Sequence, residues 1–242
     1  MRSIFLKSEG NSLKEKEMKF ILMLCVLLIT IPAFAGTFRD DFDKNLDNWD
    51  LILNGGSVEI KNGELVIIDS SPEVASSAIL KNGNDIKDFK LHVDAIFIKE
   101  LSAKSWDYMC IMSRFNLSMS DKGFAWVSFE ESGNIPFILM SPGWQLFGRN
   151  DIPFPLQFNK WYHIQIEVNG SKLTLTVDNK LIHIMDWSNQ PMLCPQGSIN
   201  IGAGGAEVHF DNFVITGDEV PDNTQSVEST GKLTTTWAMI KR

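Results

Sequence analysis

Trp161-Tyr162-His163-Ile164-Gln165-Ile166-Glu167-Val168-Asn169-Gly170-Ser171-Lys172-Leu173-Thr174-Leu175-Thr176-Val177-Asp178-Asn179-Lys180-Leu181-Ile182-His183-Ile184-Met185-Asp186 reads as three short strands joined by two tight turns. Tyr162, Ile164, Ile166 and Val168 alternate with polar neighbours, and Leu173, Leu175 and Val177 continue the alternation. Asn169-Gly170 is read as a two-residue type I′ turn and Asp178-Asn179 as the next turn. Ile166 then lies opposite Leu173 and Ile164 opposite Leu175, while Ile182 faces Leu175 and Ile184 faces Leu173. The apolar side chains fall on one face. His163, Gln165, Glu167, Lys172, Thr174, Thr176 and His183 gather on the other, as expected of one sheet in a two-sheet sandwich with a solvated side.

The rest of the chain fits that frame. Thr37 to Asp43 reads as a first strand followed by Trp49 as an aromatic anchor, and Ser57 to Ile60 pairs with Glu64 to Ile68 across Lys61-Asn62-Gly63. Strands at Phe89 to Ile98, Tyr108 to Phe115, Phe124 to Phe129 and Ile135 to Met140 precede the meander, and Ser198 to Ile201 and Glu207 to Ile215 follow it. About a dozen short strands without a convincing amphipathic helix predict an all-β, two-sheet antiparallel sandwich of the jelly-roll type over residues 36–217.

Both ends differ in composition from that middle. Phe20 to Ile31 is an uninterrupted apolar run behind Met18-Lys19, and Ala33 and Ala35 form the small-residue pair a signal peptidase accepts. Residues 1–35 therefore read as a leader, with Met18 to Ala35 its cleaved signal peptide and either Met1 or Met18 the true start. A lipid-anchored reading centred on Leu22-Met23-Leu24-Cys25 competes with this, but the apolar run continues past Cys25. The run is short for a membrane span. Export predicts a secreted, periplasmic or cell-envelope protein in which Cys110 and Cys194 are two buried thiols or a disulfide. Residues 218–242 read as a polar linker and a tail. Leu233, Trp237 and Ile240 have helical spacing there, suiting a short capping helix or a docking tag.

The formal charge of -8 over 242 residues argues against a nucleic-acid partner. Chemistry comes instead from strand parity. If Met109, Ile111 and Phe115 face the core, Tyr108, Cys110, Met112 and Arg114 face away; Ala125, Val127 and Phe129 likewise leave Trp126, Ser128 and Glu130 outside. Neighbouring strands would then gather Tyr108, Arg114, Trp126 and Glu130 on one concave face. Flat aromatic area beside directional polar groups suits a sugar, whose C–H faces stack while its hydroxyls hydrogen-bond. Each residue also has a plain structural role open to it, Arg114 and Glu130 as a cross-strand ion pair and Trp126 as packing under a loop. Residues 141–159 read as a long loop rimming that face, with Trp144, Arg149 and Asp151 for contact and its phenylalanines pinning it down. No cofactor is called for; Asp40, Asp41 and Asp43 with Asp211 are the residues that would hold calcium if the terminal strands pair. The four histidines, His92, His163, His183 and His209, show no metal spacing.

Phe38 to Trp49, Asn62-Gly63-Glu64-Leu65, Trp161-Tyr162-His163-Ile164, Val168-Asn169-Gly170 and His209-Phe210-Asp211-Asn212-Phe213 together resemble exported bacterial domains of the concanavalin A-like lectin and glucanase superfamily. Within it the chain looks most like laminin-G-like domains and the 3-keto-disaccharide hydrolase-like group. The resemblance covers Thr37 to about Gly217 and implies the jelly roll more specifically than any activity. The glucanases' Glu-x-Asp-x-x-Glu strand is missing; His92-Val93-Asp94-Ala95-Ile96-Phe97 keeps one acid without its flanking pair, which argues against a retaining glucanase. The leading expectation is a non-catalytic carbohydrate-binding module using Tyr108, Arg114, Trp126, Glu130, Trp144 and Arg149. The alternatives are a glycoside hydrolase with Glu130 as acid or base, and an envelope protein-interaction domain.

Overall fold

The computed structural model describes residues 36–223 apart from 74, 103, 105, 106, 117–121, 142–144, 191 and 192. The leader, the residues 224–242 of the tail, and Trp144 lie outside the described residues. Among the described residues fifteen strands form two sheets. The first, sheet A, runs β13(Lys180–Asp186), β12(Lys172–Val177), β11(Trp161–Asn169), β6(Phe89–Glu100), β15(Ala206–Gly217), β4(Glu64–Ile68), β3(Ser57–Lys61), with β1(Gly36–Asp40) also on β15. The second, sheet B, runs β10(Gln145–Pro153), β9(Asn134–Ser141), β8(Phe124–Glu130), β7(Tyr108–Phe115), β14(Ser198–Gly204), β5(Ser76–Leu80), β2(Trp49–Ile52). Each named pairing within them is antiparallel.

The core lies between the sheets, built from alternate residues of both: Leu91, Val93, Ala95 and Phe97 of β6 face Met109 and Ile111 of β7 and Val127 and Phe129 of β8. Trp49 is the anchor its composition suggested. Its indole meets Phe38, Phe42 and Phe213 at ring-centroid distances of 6.0, 5.7 and 5.0 Å, and its Nε1 donates to Asp40 Oδ2 at 2.8 Å. The indole thus buries its apolar body while its one donor is satisfied.

The meander forms, in a different register. The pairs are Ile166↔Leu175, Ile164↔Val177 and Val168↔Leu173, because the turn is Gly170-Ser171: only Gly170 has positive φ (+55°), at the first central position of a type II′ turn. A slip of two residues preserves parity, so the expected apolar face survives. The second hairpin does not escape so lightly. Asp178 and Asn179 both have positive φ as a type I′ turn requires, but a bulge between Leu175 and Thr176 in the β12–β13 pairing puts His183 opposite Leu175 and Met185 opposite Leu173. The expected pairs with Ile182 and Ile184 are therefore wrong, and His183 turns from the wet face to the inner one, its ring 4.8 Å from that of Phe137. Ile184 is left exposed.

Residues 145–153 are also not the rim loop anticipated. They form the edge strand β10, paired with β9 and bulged between Leu146 and Gly148. Beyond it Phe154 and Leu156 do pack on the core. After β15 the chain stays tied down: Val220 is buried, and Asn223 Oδ1 accepts from Arg39 N while its Nδ2 donates to Arg39 O. Cys110 and Cys194 are both buried, and no disulfide joins them.

Candidate ligand-binding face

The outward face of sheet B is assembled by register. One row crosses it as Arg149 of β10, Ile138 of β9, Trp126 of β8, Met112 of β7 and Asn200 of β14. A second row holds Glu130, Tyr108 and Gly204. Between them runs a line of small side chains, Ser128, Cys110, Gly202 and Ser77. Parity alone predicts Tyr108, Trp126 and Glu130 on this face, and there they are. Tyr108, Cys110, Met112, Ile138 and Met140 form an apolar cluster separate from the main core, with Trp126 half-buried against it.

The Tyr108 ring packs against that of Trp126, with centroids 5.2 Å apart and planes at 59°, and its hydroxyl end lies over β14. It can lie so low because β14 carries glycine beneath it: a Cβ on Gly204 would stand 2.6 Å from Tyr108 Cζ and 2.7 Å from its hydroxyl. Three buried polar atoms on this face have no hydrogen-bond partner among the described residues, Tyr108 Oη, Trp126 Nε1 and Asn200 Oδ1. Among the described residues the Asn200 amide nitrogen reaches Met112 Sδ, at 3.6 Å. A buried polar group left unmatched costs about 1–3 kcal/mol, so such a trio calls for a polar occupant or ordered water.

Arg114 does not join them. It sits at a bulge in the β7–β14 pairing with φ of +57°, which removes its side chain from the Tyr108 face. Its Nη2 donates to Gly170 O at 2.5 Å, and the guanidinium lies 5.2 Å from the centroid of the Trp187 ring. Burial lowers its pKa from the usual arginine value, with Asp88 opposing. The cross-strand ion pair that was the alternative role open to Arg114 and Glu130 does not form; Glu130 pairs with Arg149, whose Nη2 lies 3.1 and 3.0 Å from the two Glu130 oxygens and whose Nε donates to Asp151 Oδ1 at 2.7 Å. Burial pulls the Arg149 pKa down, but Glu130 and Asp151 together outweigh it and hold the guanidinium charged. Ser132 Oγ donates to Glu130 Oε2 at 3.1 Å, so both carboxylate oxygens are engaged.

Burial pushes the Tyr108 phenol far above its ordinary pKa, reinforced by Cys110, Asp69 and Glu130; it remains a neutral donor. Burial does the same to the Cys110 thiol, which argues against a thiolate nucleophile. Asn200 is the residue that sequence reading passed over. Its signal was present as a carboxamide in the middle of Ile199-Asn200-Ile201, on the same parity as Gly202 and Gly204.

The terminal strands do pair, Asp40 lying opposite Phe213. Among the described residues no three His, Cys, Asp or Glu side chains converge to hold a metal ion, Asp41 and Asp211 included. Asp40 is already committed to Trp49 Nε1 and Phe42 N.

Several solved structures share the sandwich. A galectin-like protein of unknown function from Bacillus subtilis aligns with a TM-score of 0.57 at 10% identity, over 74% of this chain and 96% of its own. The β-glucanase of Bacillus licheniformis aligns at 0.56 and 10%, over 75% and 98%; the carbohydrate-binding module CBM66 of Bacillus subtilis aligns at 0.55 and 15%, over 70% and 95%. At such identities the likeness is one of fold, a jelly-roll β-sandwich. No curated protein matches the chain. The model of one family does match, over residues 37–216, and the chain belongs to it: the 3-keto-alpha-glucoside-1,2-lyase-like domains.

Proposed function

We propose that this protein is an exported carbohydrate-binding β-sandwich whose glycan lies on the outward face of sheet B, across Trp126 and Tyr108. The observation that carries the reading is the set of three unmatched polar atoms, Tyr108 Oη, Trp126 Nε1 and Asn200 Oδ1, beside two packed aromatic rings on one face. Two are donors and one an acceptor, a set that sugar hydroxyls can match once the side chains covering these buried atoms shift aside. Glu130 and Arg149 would fix orientation at one side of that face through oxygens and N–H groups not saturated by each other. Membership of a family named for glucoside chemistry and likeness to a carbohydrate-binding module support the same class of ligand. Export rests on the leader reading of residues 1–35; a cut after Ala35 would leave β1 whole, since that strand begins at Gly36.

The test is a glycan array probed with the purified chain, followed by titration of the best ligand. Trp126→Ala should weaken binding at least tenfold with the circular dichroism spectrum unchanged. Equal binding by wild type and Trp126→Ala would remove the proposal.

The family's name favours one second reading, an enzyme that cleaves glycosides with Glu130 as its acid or base. Glu130→Gln separates the two: it would abolish turnover in an enzyme, while a binding module would retain its ligand and release no product.

A further inference from the structure

The outward face of sheet A carries an arrangement that the glycan reading does not use. His163 of β11 pairs with Asp94 of β6, and His92 pairs with Gln165, so the two imidazoles stand diagonally across neighbouring strands on the same side. Their ring centroids are 5.7 Å apart with planes at 30°. His163 Nδ1 lies 2.8 Å from Asp94 Oδ1. The other oxygen of Asp94 accepts from Asn212 Nδ2 at 2.9 Å, and Asn212 reaches it from the bulge in β15, where its own φ is +51°. Both rings are half-exposed.

We propose that His92 and His163 together bind a divalent transition-metal ion of the zinc type on the outer face of sheet A, with Asp94 and Asn212 orienting the His163 ring. A carboxylate holding one imidazole N–H fixes the tautomer and leaves the second ring nitrogen as the ligand, the usual surrounding of a metal-bound histidine. Distances fit as well. With metal–nitrogen bonds of about 2.0–2.1 Å, each ring centre sits about 3.2 Å from the ion, and a tetrahedral angle sets the two centres about 5.2 Å apart. The observed separation requires a closure of about half an ångström, within the reach of small side-chain rotations. Two protein nitrogens leave the remaining positions to water, which implies a weak, exchangeable site. Imidazole donors favour zinc, copper or nickel over calcium or magnesium.

His209 supplies an internal control. It lies on the same sheet, but its ring nitrogens are taken by Glu64 Oε2 at 2.7 Å and Glu207 Oε1 at 3.3 Å.

The test is a zinc titration of the purified chain near neutral pH against a chromophoric chelator of micromolar affinity. One equivalent should bind with micromolar affinity. His92→Asn and His163→Asn should each weaken it at least tenfold, Asp94→Asn by about tenfold, and His209→Asn should leave it unchanged, all four variants keeping the wild-type circular dichroism. No zinc bound by the folded wild-type chain, or binding that survives both His92→Asn and His163→Asn, would overturn the proposal. The glycan array is independent of either result.

Discussion

Gly204→Ala perturbs the proposed ligand face with a single methyl group. Gly204 does not have the positive φ that would strain an alanine, so backbone conformation costs nothing. In a strand the replacement should even help, by roughly 0.5–1 kcal/mol, because alanine gives up less conformational freedom than glycine. Against this, the new Cβ would lie 2.6 Å from Tyr108 Cζ, 2.7 Å from Oη and 2.8 Å from Cε1, about 1 Å inside the ordinary contact distance. An exposed tyrosine would swing away at little cost. Tyr108 is buried and packed on Trp126, so moving it incurs an overpacking penalty of about 1–3 kcal/mol. The net expectation is a loss of about 1–2 kcal/mol, or a Tm fall of several degrees for a domain of this size, together with weakened glycan binding. Urea unfolding followed by tryptophan fluorescence measures the first. Tyr108→Ala should make the same Gly204→Ala change neutral or stabilising, a coupling in the range of about 0.5–3 kcal/mol that contacting residues show. If Gly204→Ala is as stable as wild type in both backgrounds, Tyr108 does not lie over β14 and the geometry of the face is wrong.

Arg149→Met leaves Glu130 with the Ser132 hydroxyl as its side-chain partner among the described residues; because the Arg149 side chain is 36% exposed, the cost should be modest, about 1 kcal/mol, and smaller in high salt, as denaturation with and without added salt would reveal. Gly170→Ala should cost about 1–2 kcal/mol at its φ of +55°, while Asn169→Ala should be nearly neutral; equal costs at both positions would restore the type I′ turn read from the sequence. Burial lifts the Asp40 carboxyl above its ordinary value of 3.8, despite hydrogen bonds from Trp49 and Phe42 that lower it, with Asp41 and Asp43 adding to the rise. The folded state then holds that proton to higher pH than the unfolded chain does, so Asp40's contribution is fully present below 3.8 and lost as pH rises through the raised value. Asp40→Asn, still able to accept from Trp49, should flatten that decline in unfolding midpoints across the mildly acidic range; parallel profiles for variant and wild type would refute the assignment.

The fold was legible because alternation survives even a misplaced turn. Moving the turn from Asn169-Gly170 to Gly170-Ser171 shifts the partners by two, and a period of two is blind to that shift. Bulges are what the pattern cannot carry. One residue of slippage at β12–β13 reverses His183, and the bulge at Arg114 takes its guanidinium off the face where simple counting put it. Neither has a local signature: Arg114 adopts positive φ without being glycine or asparagine, a choice imposed by its contacts with Gly170 and Trp187. β10 was hidden for another reason. Its glycine, its asparagine and the prolines around it speak for loop, and only pairing with β9 overrides them. Tyr108, Trp126 and Glu130 were recoverable because β7 and β8 are regular where those residues sit; Arg149 was named, but as a loop residue rather than as the partner of Glu130.

Chemical-shift mapping of the isotopically labelled chain, titrated with the best glycan from the array, tests the central claim most directly. The account predicts that the Trp126 indole N–H and the Asn200 side-chain amide move first and furthest, with Gly202 and Gly204 following. Shifts clustered instead around Trp161, Gln165 and Thr174 on the other sheet would contradict it.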